Sequence, residues 1–79
     1  MARRRVKLSF SPELVSEPVI HMMGTQFPVV TNIRRADVTA YEGWVVLEVD
    51  GDLDEIDRAL AFAAERGVRV DPVEGELAT

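Results

Sequence analysis

One histidine, one tryptophan and no cysteine leave this 79-residue chain few groups that could do chemistry. The missing thiols exclude disulfides, thiolate metal sites, iron–sulfur ligation and cysteine nucleophiles together. His21 alone cannot build a multi-histidine metal site. It stands close to Ser16 in sequence, which is no sign of a nucleophile–base pair, and it is expected to be an ordinary surface or interface residue. Asp50, Asp52, Asp54 and Glu55 alternate around Gly51 and faintly resemble a calcium loop, but the ligand order of such a loop is not matched. Carboxylates favouring the positive end of a helix dipole account for them better. Gly24 and Gly43 stand alone, so no glycine-rich loop cradles a phosphate. No metal, no cofactor and no catalytic set is expected. The chain is expected to bind something rather than to catalyse a reaction.

Composition sets the outer limits. Apolar residues make up 47% of the chain, too many for a disordered segment, and charged residues 29%, ordinary for a soluble surface. A net charge of −5 argues against a generic nucleic-acid binder. The run Arg3, Arg4, Arg5, Lys7 is the exception, and it is expected to be a solvated terminus entering a strand. No apolar stretch approaches the roughly 20 residues that span a bilayer. The basic start is not followed by the apolar core of a signal peptide, so the expected location is the cytoplasm. A chain of this length forms one domain and buries only roughly 60% of its unfolded surface, so pairing with a second copy would stabilise it.

The elements that must position any site follow from periodicity. Val6, Leu8 and Phe10 alternate with Lys7 and Ser9 as a half-buried strand, ended by Ser11-Pro12. Ser16 is a plausible helix N-cap, and Ile20, Met23 and Phe27 then fall on one stripe with Val19 beside it. Pro28 stops that helix. Val29 to Thr39 reads as a second strand, Tyr41-Glu42-Gly43 as a tight turn, and Trp44 to Val49 as a third strand. Asp52 offers an N-cap with Glu55 three residues on, resembling a capping box. Leu53, Ile56, Leu60 and Ala63 or Ala64 form the stripe of a second helix, and Gly67 stops it. Val68 to Asp71 is a fourth strand, and residues 74–79 are expected to be a frayed tail. The order strand, helix, strand, strand, helix, strand with right-handed crossovers gives an α+β, ferredoxin-like βαββαβ domain. Its four-stranded antiparallel sheet carries both helices on one face.

The other sheet face is then open. Val45, Leu47 and Val49 should pack under the helices with Leu8, Ile56 and Leu60, which leaves Trp44 and Val46 on the open face. Such a pair suggests a contact surface, and a homodimer is expected, with Trp44, Val46 and Arg34 at the interface. In the second strand, Ala36 and Val38 argue for one parity and Ile33 for the other. A bulge between Asn32 and Arg35 would reconcile them.

The stretch from "KLSFSPELVSEPVI" through "FPVVTNIRRADVTAYEGWVVLEVDGDLDEIDRALAFAAERGVRVDPV" resembles the NIL domain, over roughly residues 4–73. That family is named for an Asn-Ile-Leu motif at the second strand, which here reads Asn32-Ile33-Arg34. Glu17-Pro18-Val19-Ile20, Arg35-Ala36 and Asp50-Gly51-Asp52 match as well. The resemblance implies the same fold. It also implies kinship with the C-terminal domain of the ATPase subunit of bacterial methionine importers, which senses methionine, inhibits transport and pairs with its twin. NIL domains also occur fused to ferredoxin segments in proteins of sulfur assimilation; this copy is expected to be standalone. From the resemblance, Asn32 is expected to contact a methionine-like ligand, with Met23, Ile33 and Trp44 lining a slot for its thioether. Arg34 departs from the motif and is expected to be a solvated edge residue, the alternative being a partner for a carboxylate or a change of ligand choice. The expected function is a regulatory module sensing methionine or a related sulfur amino acid. The alternative is a ligand-free partner of a sulfur-metabolism protein or a transporter subunit.

Overall fold

The computed structural model describes residues 1–73. The expected tail at residues 74–79 lies outside them. The chain runs β1 (Ala2–Phe10), α1 (Val19–Gln26), β2 (Val30–Val38), β3 (Gly43–Gly51), α2 (Leu53–Glu65), β4 (Arg69–Pro72). The strands lie in the order β2-β3-β1-β4, every neighbouring pair antiparallel. Each strand–helix–strand unit therefore straddles one strand of the other unit, which is the ferredoxin-like arrangement.

Alternation decides which side chains meet the helices. Val6 stands opposite Leu47 and Leu8 opposite Val45, and these four join Val49, Val19, Met23, Ile56, Ala59 and Ala63 in one buried cluster. The line buried by α2 is Ile56, Ala59 and Ala63, whose two alanines are small enough to let the helix lie close to the sheet. This line is rotated slightly from the expected Leu53–Ile56–Leu60 stripe. Leu53 is consequently exposed and Leu60 only half-buried.

Both helix starts differ from expectation. The cap of α1 is Pro18, not Ser16; the Met22 N–H donates to its carbonyl at 3.0 Å. Proline disfavours helical geometry in Glu17, so Ser11 to Glu17 instead forms hydrogen-bonded turns. Asp52 does cap α2 through its backbone, but its side chain makes no capping bond. Glu55, meant to close the box, pairs with Arg58 at 3.3 Å. The far end of α2 closes as expected. Gly67 has φ +99°, and the N–H groups of Gly67 and Val68 donate to the carbonyls of Ala64 and Ala63.

The conflict of parity in β2 is resolved by a bulge. Ile33 stands opposite Leu47 and Arg35 opposite Val46, with Arg34 the extra residue between them. Thr31, Ile33, Ala36 and Val38 thus all share the helix-side face, and Asn32, Arg35 and Asp37 the open face.

Candidate functional site

The open face is a lattice of charge. Register places Arg3, Arg5, Lys7 and Ser9 of β1 beside Asp50, Glu48, Val46 and Trp44 of β3. Arg3 Nε donates to Asp50 Oδ1 at 2.6 Å, Arg5 donates to Glu48 Oε2 through both Nε and Nη2, and Arg69 Nε donates to Asp71 Oδ2 at 3.0 Å. Glu48 is only 4% exposed. The hydrogen bond from Arg5 holds its carboxyl below the usual carboxylate range against the opposing effect of burial, and the charges of Arg5, Arg3 and Arg34 add to it. The hydrogen bond from Arg3 likewise lowers Asp50, again against burial.

This lattice corrects the expected contact patch. Val46 is 6% exposed, flanked in register by Lys7 and Arg35. Long cationic side chains lay their aliphatic stems over apolar neighbours. Trp44 is half-buried, and Lys7 Nζ sits 5.2 Å from its ring centroid. The two residues therefore present no continuous apolar surface. Arg34 is exposed at the bulge of the edge strand.

The four expected ligand residues do not surround one slot. Met23 is sealed in the core on the underside of α1. Ile33 is on the helix side of β2, while Asn32 and Trp44 are on the open face. Asn32 stands opposite Glu48, four positions along β3 from Trp44, or about 13 Å. Of the four, Asn32 and Ile33 stay together, on either side of the same edge strand.

Sequence reasoning missed the apolar concavity beside them. α1 has only eight residues and buries Val19 and Met23. It leaves the helix-side face of β2 uncovered, so Ile33 and Val38 are each 55% exposed. Between α1 and β2 runs a groove of about 270 Å3, lined by Phe10, Val15, Pro18, Val19, Ile20, His21, Ile33, Ala36, Val38 and Val45 with Glu17 at its rim. Glu17 is engaged by Arg66 at 3.4 Å, so the groove holds no free acid there. The signal was available in Ile33, Ala36 and Val38 once the bulge put them on one face next to a short helix.

The groove offers an apolar slot, and the outer side of β2 adds backbone groups that no strand of the described residues pairs. Such an edge has N–H groups for a carboxylate and carbonyls for an ammonium. Among the described residues no cluster of His, Cys, Asp or Glu could hold a metal, and no helix is long and apolar enough to cross a membrane.

Comparison with known proteins places this geometry among relatives. The family model of the NIL domain matches residues 4–72. A methionine import ATP-binding protein MetN 1 of Bacillus cereus (strain ZK) is 33% identical over 70 residues, covering 84% of this chain. Its counterpart in Bacillus cereus strain ATCC 10987 is 31% identical over 70 residues, again covering 84% of this chain. The matched segment spans about a fifth of the length of these relatives, 20% in each. Among solved structures, the C-terminal domain of an ABC transporter ATP-binding protein from Enterococcus faecalis superimposes with a TM-score of 0.78 at 18% identity. That match covers 92% of this chain and 86% of the other and carries the fold alone.

Proposed function

The chain belongs to the NIL domain family, and from that premise we propose that it is a regulatory, non-catalytic module that binds methionine or a related sulfur amino acid along the outer side of β2. The observation that carries this reading is the groove between α1 and β2, apolar and open beside an unpaired strand edge. A thioether side chain suits such a slot, where Ile20, Ile33 and Val38 offer aliphatic contact. The ligand's charged ends would take the edge backbone, as a strand residue would, and the Asn32 amide supplies both a donor and an acceptor. Binding there would order the edge and so alter what it meets. The proposed partner is a second copy across the β2 edge or, by kinship with the import ATPases, a transporter subunit on the cytoplasmic side.

Calorimetric titration with methionine, cysteine and homocysteine tests the reading. A thioether slot predicts that methionine releases the most heat and that Ile33→Asp removes that preference. Absence of heat with all three at millimolar concentration contradicts it. A ligand-free interaction role would then lead, favoured by the exposure of Val30, Ile33 and Val38 along one edge strand.

A further inference from the structure

The charges of the open face are satisfied unevenly. Arg3, Arg5 and Arg69 are taken up by Asp50, Glu48 and Asp71. Arg35 makes no ion pair among the described residues, and neither do Lys7, Asp37 and Glu42. The last three gather at the other end of the face, and a second concavity of about 270 Å3 opens between them. Its walls include Lys7 and Ser9 of β1, Asp37 of β2, Trp44 of β3 and Glu42 of the hairpin turn. Its charged walls lie on the opposite sheet face from the α1–β2 groove, and the two share Phe10 alone among their lining residues.

Its chemistry has a definite polarity. Trp44 is flanked in register by Ser9 on one side and Asp37 on the other. The cation Lys7 therefore comes from the β1 flank, and the carboxylates of Asp37 and Glu42 from the β2 flank and the turn. The indole lies between them, and its face already accepts one ammonium, that of Lys7 at 5.2 Å from the centroid. A simple anion entering here would meet two carboxylates. A simple cation would have to compete with Lys7 for the ring.

We propose that this pocket binds a small zwitterion, its carboxylate on Lys7 and its ammonium over the Trp44 indole between Asp37 and Glu42. Such a ligand gives Lys7 an anionic partner and replaces it on the ring, so Lys7, the two carboxylates and the aromatic face of this pocket are matched at once. The proposal does not depend on the methionine reading of the groove.

Trp44 is the one tryptophan of the chain, so its emission and its indole N–H resonance report on this pocket alone. The probe is glycine betaine, which has no long apolar side chain to fill the groove. Its charge-deleted analogues are 3,3-dimethylbutyrate, which keeps the shape and loses the positive charge, and tetramethylammonium, which loses the carboxylate. The expected result is a saturable shift of the indole signal with betaine in the millimolar range. Each analogue should bind about 10-fold more weakly, the size of one lost charge-assisted contact. Lys7→Met and Asp37→Asn should weaken betaine similarly while leaving the melting transition in place. Ile33→Asp should leave betaine binding intact, which separates this site from the groove. An indole signal that betaine leaves unmoved at tens of millimolar, or one that responds equally to betaine and 3,3-dimethylbutyrate, overturns the proposal.

Discussion

β2 and β3 are adjacent, antiparallel and each nine residues long, yet they have opposite fates. β3 buries seven of its nine residues, including Val46 and Glu48 on the face that carries no helix; β2 buries none. Composition alone does not separate them, since β2 holds Val30, Ile33 and Val38. Position does. β3 has a strand on either side and helices above it, so most of its side chains are covered by neighbours. Among the described residues β2 has one strand neighbour, and the eight-residue α1 leaves a groove beside it. Stability is therefore concentrated in β3 and available surface in β2, and a binding role falls naturally to the strand that the fold does not spend on its own core.

Cutting one side chain from each strand separates the two most sharply. Leu47→Ala removes a fully buried group from β3 and should cost about 2–5 kcal/mol, enough to abolish a normal melting transition in a domain this small. Ile33→Ala, opposite it in register, should cost about 1 kcal/mol or less and leave that transition recognisable. Equal losses in chemical denaturation would erase the distinction.

Asn32→Ala moves the comparison from folding to binding. Losing one hydrogen bond to a charged ligand end should weaken methionine by about 1.5–3 kcal/mol, or about 10- to 100-fold, with an unchanged circular dichroism spectrum. The β3 counterpart is Glu48, and its signature is a pH profile. Glu48 and Asp50 are held below their ordinary values in the fold, so their stabilising contribution is present above the unfolded carboxylate range. It is lost as pH falls through their lowered folded values. Melting temperature should drop in that acidic window, and Glu48→Gln should flatten the drop.

The smallest effect belongs to the bulge. Deleting Arg34 leaves Ile33 opposite Leu47 and Arg35 opposite Val46 in plain alternation. No side chain needs to change face, so the deletion should be nearly neutral for stability. A large loss of stability, or amide shifts showing Asn32 turned toward the helices, would mean that the bulge does more than absorb an extra residue.

Much of this was legible in the residue pattern because burial imposes it. Val6 and Leu8, and Val45, Leu47 and Val49, alternate as core strands must. The disagreement between Ile33 and Ala36 pointed to the bulge because both face the helices. What was not legible depended on knowing which residues meet across strands. Arg5 and Glu48 are 43 positions apart, and nothing in either segment reveals that they pair until the β1–β3 register is known. Val46 therefore looked like an exposed contact residue, although it is buried between its cross-strand neighbours Lys7 and Arg35. The ligand set Asn32, Ile33, Met23 and Trp44 failed as a single slot for a related reason. The resemblance names positions along the chain, whereas a slot requires one face, and the sheet divides these four. The groove was hidden because it arises from what α1 leaves uncovered, a property of helix length and placement and not of any motif.

The proposed seat of the amino acid's thioether side chain is the groove along the outer side of β2. Amide and methyl chemical shifts recorded while L-methionine is added to the intact chain test it most directly. Saturable shifts are expected in Asn32 to Val38 and in Val19 to His21, with Leu47 and Val49 unmoved. Shifts confined to other elements, or none at millimolar methionine, would contradict it.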